Sequence, residues 1–85
     1  MKTGIIVYVI GDDSAMDVGR QAALIKDKTR ASRVELISAH HGHQDISDAW
    51  WSLTAAGMHR IVCMMAEYAG AGNLRLTGKQ LQLCG

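Results

Sequence analysis

Residues 5–10 form an unbroken apolar run rich in β-branched side chains, with no alternation between polar and apolar positions. Such a run is typical of a strand that is buried on both faces, as in a parallel sheet. Val34 to Ala39 and His59 to Ala66 predict a second and a third strand. Between the strands, apolar residues recur at helical spacing. The pattern therefore predicts the element order β-α-β-α-β.

The first predicted helix runs from about Ala15 to about Thr29. Ser14 and Asp17 give it a start that resembles a capping box, with Asp in place of the usual Glu or Gln. Val18, Ala22 and Ile25 follow at helical spacing.

The second predicted helix is capped by either Asp45 or Ser47 and stops before Gly57, a residue type favoured just after a helix. Its apolar stripe consists of Ile46, Ala49, Trp50 and Leu53.

Right-handed crossovers place the three strands parallel in one open sheet with helices on its faces. The predicted fold is therefore a small three-layer α/β domain that spans residues 1–85 as one unit. After the third strand, Leu74, Leu76, Leu81 and Leu83 alternate with polar residues around Thr77–Lys79. This pattern predicts a C-terminal hairpin, and a short helix from Thr77 onward is the alternative.

Composition narrows the classes of partner. The 85 residues carry nine basic and eight acidic side chains without a basic cluster, so we expect no nucleic-acid binding. The longest apolar run is too short to cross a bilayer, and we expect no membrane association. Cys63 and Cys84 have no zinc-type spacing, which favours free thiols in a reducing, cytoplasmic compartment. Because so short a chain has a marginal core, we expect a homo-oligomer, most simply a dimer.

The loops that follow the strands meet at the carboxyl-end rim of such a sheet, where ligands bind in open α/β folds. The imidazoles of His40, His41 and His43 fall in these loops together with the carboxylates of Asp12 and Asp13, and carboxylate and imidazole are ligands of divalent first-row metals. The sequence thus predicts a divalent-metal site at this rim. A solvated polar loop is the alternative for the histidines, and the helix dipole alone could favour Asp12 and Asp13. Without a glycine-rich phosphate motif, we expect no nucleotide.

Three further residues are candidates for contacting a bound cofactor. Ser14 and Asn73 fall in the first and third rim loops. Trp51 points about 100° away from Trp50 around the helix, so the two rings cannot share one environment. Trp51 could cover an edge of the sheet, form a dimer contact or stack on a flat ligand.

Four segments resemble the short sirohydrochlorin cobaltochelatase family of the class II chelatases. They are Val34–Ala39, the Leu-x-x-x-Gly stretch of Leu53–Gly57, the Arg-Ile-Val strand of 60–62, and the glycine-rich 70–73. The resemblance spans about residues 4–73, and Gly11-Asp12-Asp13-Ser14 stands where the family has a Gly-His-Gly-Ser turn. The family's two metal-binding histidines fall on Asp12 and near Asn73, and an acidic residue after the second strand falls on His40. We expect this chain to lack the family's prolines, its fourth strand and its last helix.

The resemblance implies a divergent chelatase-like protein of the kind used in cobalamin biosynthesis. It implies a divalent ion, Co, Ni or Fe, at Asp12, His40 and His43, with a tetrapyrrole across the rim against Trp51. Asp12 and His40 would then be the catalytic residues. The alternative is a non-catalytic module of chelatase fold that acts in self-association or partner binding. A receiver or flavodoxin-like domain is a third reading, but Glu67 stands where a receiver needs its phospho-acceptor Asp.

Overall fold

The computed structural model describes residues 2–69 and 72–82, with 78–82 as backbone alone. Within these ranges the elements are β1 (Thr3–Gly11), α1 (Val18–Thr29), β2 (Arg33–Ile37), α2 (Ile46–Ala55), β3 (Arg60–Tyr68) and β4 (Arg75–Gln82). They build one sheet in the order β2-β1-β3-β4. β1 pairs parallel with β2 and β3, while β4 runs antiparallel to β3. The predicted α/β class with three parallel strands is confirmed.

The unbroken apolar run of the central strand β1 predicts burial on both faces; residues 4–7 and Val9 are buried, but Tyr8 on the α2 face is 52% exposed. Ile5, Val7 and Val9 belong to the core under α1, together with Ile25 and Leu36. Ile6 points to the other face, where α2 contributes Ala49 and Leu53 to a second core. The sheet is thus the middle layer between two helices.

The ends of α2 follow the predicted capping chemistry. The Asp45 carboxylate accepts a hydrogen bond from the Asp48 N–H over 3.0 Å, so Asp45 is the cap rather than Ser47. At the other end Gly57 has φ +83°, and the N–H groups of Gly57 and Met58 donate to the carbonyls of Thr54 and Leu53. This is a Schellman motif, which stops the helix and turns the chain into β3.

The predicted start of α1 is wrong. The helix begins at Val18, and its cap is Asp17, whose side chain accepts from the Arg20 N–H over 3.1 Å. The Ser14–Asp17 capping box therefore does not form. Residues 12–16 make a separate turn, closed by a hydrogen bond from Met16 N to Asp13 O. Asp12 and Asp13 consequently lie outside the first turn of α1, and its dipole does not explain them.

The C-terminal segment is one strand, so the turn predicted at Thr77–Lys79 and the alternative helix are both wrong. Met64 pairs with Gln80 and Ala66 with Leu76, so one residue of β3 faces three residues of β4. The turn-like residues thus form a β-bulge rather than a hairpin loop. The expectation that the chain lacks a fourth strand is therefore also wrong, since β4 extends the sheet antiparallel to β3. Leu83 and Cys84 lie outside the described residues.

Gln21 of α1 holds the segment before β4 in place, a role that the sequence pattern does not show. Its buried amide nitrogen donates to Gly72 O over 3.2 Å, and its amide oxygen accepts from Leu74 N over 2.8 Å. A buried amide with both ends bonded costs little, whereas an unbonded one is expensive. Gln21 therefore acts as a polar tie between α1 and the chain that enters β4.

The structure bears on the thiol of Cys63 and on the length of the helices. Cys63 is a free thiol buried in the core under α2, as predicted. Among the helices of residues 2–69 and 72–82, none has the length and apolar character that crossing a membrane requires.

Gly11 ends β1 in a conformation that other residues avoid. Its φ is +98°, and a Cβ atom there would lie 2.5 Å from the carbonyl oxygen of Tyr68. Gly57 also has a positive φ, +83°, but a Cβ atom there would meet nothing within 4 Å. The two glycines therefore separate the cost of the backbone angle from the cost of a collision.

We expect Gly11→Ala to lower the free energy of unfolding by clearly more than about 1 kcal/mol, because the angle and the collision both disfavour alanine. Gly57→Ala introduces only the unfavourable backbone angle, without a collision, and serves as the matched control. It should lower the free energy of unfolding by about 1 kcal/mol. Urea unfolding followed by circular dichroism measures both. Equal losses for the two variants would mean that the approach of Gly11 to Tyr68 is not tight.

Candidate functional site

Two loops meet at the carboxyl-end rim of the parallel strands. The first rim loop, residues 12–17, follows β1, and the second rim loop, residues 38–45, follows β2. His40 Nδ1 donates to Asp13 Oδ1 over 2.6 Å, and His41 Nε2 donates to the carbonyl oxygen of Ser14 over 3.0 Å. Two adjacent histidines therefore bind the second loop to the first.

Ser38 shapes the turn that presents these histidines. Its side chain is buried, and its hydroxyl oxygen accepts from the backbone N–H groups of His40 and His41, over 3.3 and 3.1 Å. The hydroxyl replaces the strand pairing that these N–H groups lose where β2 ends. Both rings are thereby directed toward the first rim loop.

Asp12, Asp13 and His40 form a cluster with the composition of a metal site. Each offers one ligand atom, and the three atoms lie within 4.8 Å of one another. Asp12 and His40 are exposed, whereas Asp13 is 1% exposed. The second oxygen of Asp13, Oδ2, is buried and has no hydrogen-bond partner among the described residues. An unpaired buried carboxylate oxygen is costly, so its presence beside two other ligands needs an explanation.

The hydrogen bond to His40 lowers the pKa of Asp13 below its usual value and outweighs the opposing effect of burial. The same bond raises the pKa of His40. Hydrogen bonds from the side chain and then the backbone of Ser14 lower the pKa of Asp12. Ionised Asp13 therefore stabilises the folded state at pH values above the pKa that it has in the unfolded chain. This stabilisation is lost as the pH falls through the lower pKa of Asp13 in the folded state. Protonated His40 stabilises the folded state at pH values below the pKa that it has in the unfolded chain. This stabilisation is lost as the pH rises through the higher pKa of His40 in the folded state.

His43 does not reach this cluster. Its Nε2 contacts Glu35 Oε2 over 3.0 Å, on the outer edge of β2. The chain folds back there, since His43 N donates to Leu36 O and His43 O accepts from Ser38 N. Gly42 permits the reversal with φ +66°, because a Cβ atom would lie 2.7 Å from Leu36 O. His43 thus covers the edge strand instead of lining the rim.

Glu35 is the centre of this edge network. Its carboxylate also accepts from Arg33 Nε over 2.8 Å and from the Ser52 hydroxyl of α2 over 2.9 Å. Burial raises the pKa of Glu35, but the hydrogen bonds from Arg33, Ser52 and His43 together outweigh it and lower the pKa. The network joins β2, α2 and the second rim loop.

The three predicted cofactor-contact residues lie in different places. Ser14 lies beside the cluster. Its backbone N–H donates to Asp12 Oδ1 over 3.2 Å, and its hydroxyl donates to the same carboxylate. Asn73 accepts from the Gln21 amide over 3.5 Å, on the side of α1. Trp51 is 65% exposed, and its position two residues from both Ala49 and Leu53 directs it away from the sheet. Ser14 thus contacts a member of the cluster, whereas Asn73 contacts Gln21 of α1 and Trp51 lies exposed on α2.

Asp13 is the residue of the cluster that sequence reasoning did not select. Two adjacent aspartates carry no signal that tells which one turns inward, because the choice depends on the turn of residues 12–16. Of the third predicted rim loop, Glu67 and Tyr68 belong to β3, and Gly70 lies outside the described residues. His59 lies at the opposite edge, where its N–H donates to Lys2 O.

Comparison of the chain with protein-family models, with curated proteins and with solved structures finds no match.

Replacing Asp13 by Asn removes the negative charge and keeps an acceptor for His40. We expect the pKa of His40 to fall toward its ordinary value in Asp13→Asn, as measured by an NMR pH titration of its ring protons. Asp12→Asn is the matched control and should lower the pKa of His40 less, because Asp12 acts on His40 only through space. An unchanged His40 titration in a folded Asp13→Asn protein would show that the 2.6 Å contact does not form in solution.

Proposed function

We propose that this protein binds a divalent first-row transition-metal ion at Asp12, Asp13 and His40. The observation that carries the proposal is the unpaired, buried Oδ2 of Asp13 beside two other potential ligands. A cation bound by this carboxylate supplies the partner that the described residues do not. Asp13 takes the place of His43 in the ligand set that the sequence predicts.

The charges of the cluster favour a cation. Both carboxylates are held in the ionised state by their hydrogen bonds, and His40 is the only ring of the cluster that can carry a compensating proton. A divalent ion neutralises the two carboxylates and leaves the imidazole neutral. Mixed oxygen and nitrogen ligands suit Co, Ni, Fe and Zn ions better than Ca or Mg ions.

The site is open, which favours an exchangeable or reactive ion over a structural one. Structural metal sites are closed by four protein ligands, whereas catalytic sites keep a position for water or substrate. Here three side chains contribute, and two of them are exposed. In the orientation that Asp13 fixes, His40 also presents a polar ring at the protein surface, 53% exposed.

The sequence resemblance to cobaltochelatases extends this proposal to the insertion of the ion into a tetrapyrrole. In that extension Asp12 and His40 would hold the ion, and as it passes to the tetrapyrrole their vacated carboxylate oxygen and ring nitrogen would accept the two pyrrole protons, as general bases do. The extension stays a prediction and rests on the resemblance alone. A reducing, cytoplasmic location belongs to the same proposal, because the buried Cys63 is a free thiol.

We expect the metal-free protein to bind one Co, Ni or Zn ion per chain in calorimetric titrations at about pH 7.5. Binding should be lost at about pH 5.5, because the ion must displace a proton from His40, whose pKa is raised. Asp12→Asn and His40→Ala should each bind at least about tenfold more weakly. Because His40→Ala also removes the partner of the buried Asp13 carboxylate, its circular dichroism spectrum is compared with that of the unaltered protein before titration.

Two histidine variants serve as controls for this titration. His59→Ala removes an exposed imidazole at the opposite edge and should leave the affinity unchanged. His43→Ala should also retain the affinity, because its ring contacts Glu35 and not the cluster. The proposal is wrong if no ion binds at either pH, or if His40→Ala and His59→Ala bind equally well.

A further inference from the structure

The face of the sheet that carries α2 is incompletely covered. α2 packs on β2, on β1 and on the first half of β3, through Ile61 and Cys63. Beyond α2, Tyr8 on the central strand β1 is 52% exposed, although central strands of such sheets are ordinarily buried on both faces. Ile46, at the start of α2, is 42% exposed. A large aromatic exposed on a central strand indicates that another surface covers it.

Tyr8 borders an apolar pocket of about 240 Å³ on this face. Its floor is built from neighbouring strands, since Tyr8 lies opposite Ile37 on one side and Met65 on the other. Ile46 of α2 closes one end. A cavity of about 150 Å³ already holds a benzene ring, so this pocket has room for one aromatic side chain.

A pair of opposite charges lies on the same face, to one side of the pocket. Ile61 and Cys63 of β3 face α2, so strand alternation places Glu67 on that same face. Glu67 lies opposite Arg75 of β4, whose neighbours Leu74 and Leu76 face the other way. Both are exposed, and neither forms an ion pair with a side chain in the part of the chain that the structure describes.

We propose that a second copy of this chain covers the α2 face, in a twofold dimer centred on Tyr8 and its pocket. In a twofold interface, Glu67 of one copy meets Arg75 of the other and the reverse pair forms by symmetry. A face that carries one acidic and one basic side chain beside an apolar centre is complementary to itself, so a second copy supplies both the apolar surface and the two opposite charges. The homo-oligomer predicted from the small core thereby acquires a defined surface, independent of the metal cluster.

Sedimentation velocity from micromolar to millimolar concentration tests the dimer on the full chain. Glu67→Arg leaves only basic side chains beside the two pockets and should weaken the dimer by at least about tenfold, as should Tyr8→Lys, which removes the apolar anchor. Asp27→Arg makes the same charge change on the exposed side of α1 and is the matched control. It should leave the dimer intact.

A mixing experiment identifies the intermolecular pair. Arg75→Glu alone should be as monomeric as Glu67→Arg, but an equimolar mixture of the two variants should form a heterodimer, because every basic side chain of the mixed interface then faces an acidic one. Wild-type chain that stays monomeric over the whole range overturns the proposal. A dimer that neither Glu67→Arg nor Tyr8→Lys weakens also overturns it, and then another face is used. Metal titration of the Glu67→Arg monomer keeps the two proposals separate, since the cluster should bind unchanged.

Discussion

Residues 5–7 and Val9 of β1 are buried between α1 on one face and α2 on the other, and the remaining features of the molecule depend on this. Each aliphatic side chain removed from water contributes about 1.5–3 kcal/mol, and Ile5, Ile6, Val7 and Val9 are all buried. Covering both faces requires two crossover helices and parallel neighbours on each side of the strand. The loops after β1 and β2 must then emerge at the same edge, where Asp13 and His40 meet.

The cluster at that edge combines a local stabilisation with a local cost. The hydrogen bond between His40 and Asp13 joins two loops. The Ser38 hydroxyl supports this bond because it accepts from the backbone N–H groups of His40 and His41. The unpaired Oδ2 of Asp13 works against it, since a buried acceptor without a partner costs about 1–3 kcal/mol. Native proteins retain few such groups, and a bound ion is one of the features that account for them. A bound cation would relieve this one and strengthen the connection between the loops.

The small fold leaves two different surfaces open, a polar rim of loops and an apolar face of the sheet. In residues 2–69 and 72–82, two helices pack on a sheet of four strands, and the part of the face beyond α2 stays open. The rim is polar because it consists of loops, whereas the open face is apolar because it consists of strand residues. Ion binding suits the first surface and self-association suits the second.

The sequence by itself determined the class of fold, because an unbroken apolar run and two helical stripes admit few arrangements. It also determined which loops share an edge and brought Asp12 and His40 into one hypothesis. Only the tertiary structure decided that Asp13 turns inward and that His43 turns out toward Glu35. Neighbouring residues of one type have the same local preferences, and the contacts that separate them come from distant parts of the chain. Distant contacts also decided the structure of β4. Its turn-forming residues 77–79 lie in a bulge because the strand pairs with the edge of β3 on both sides of them.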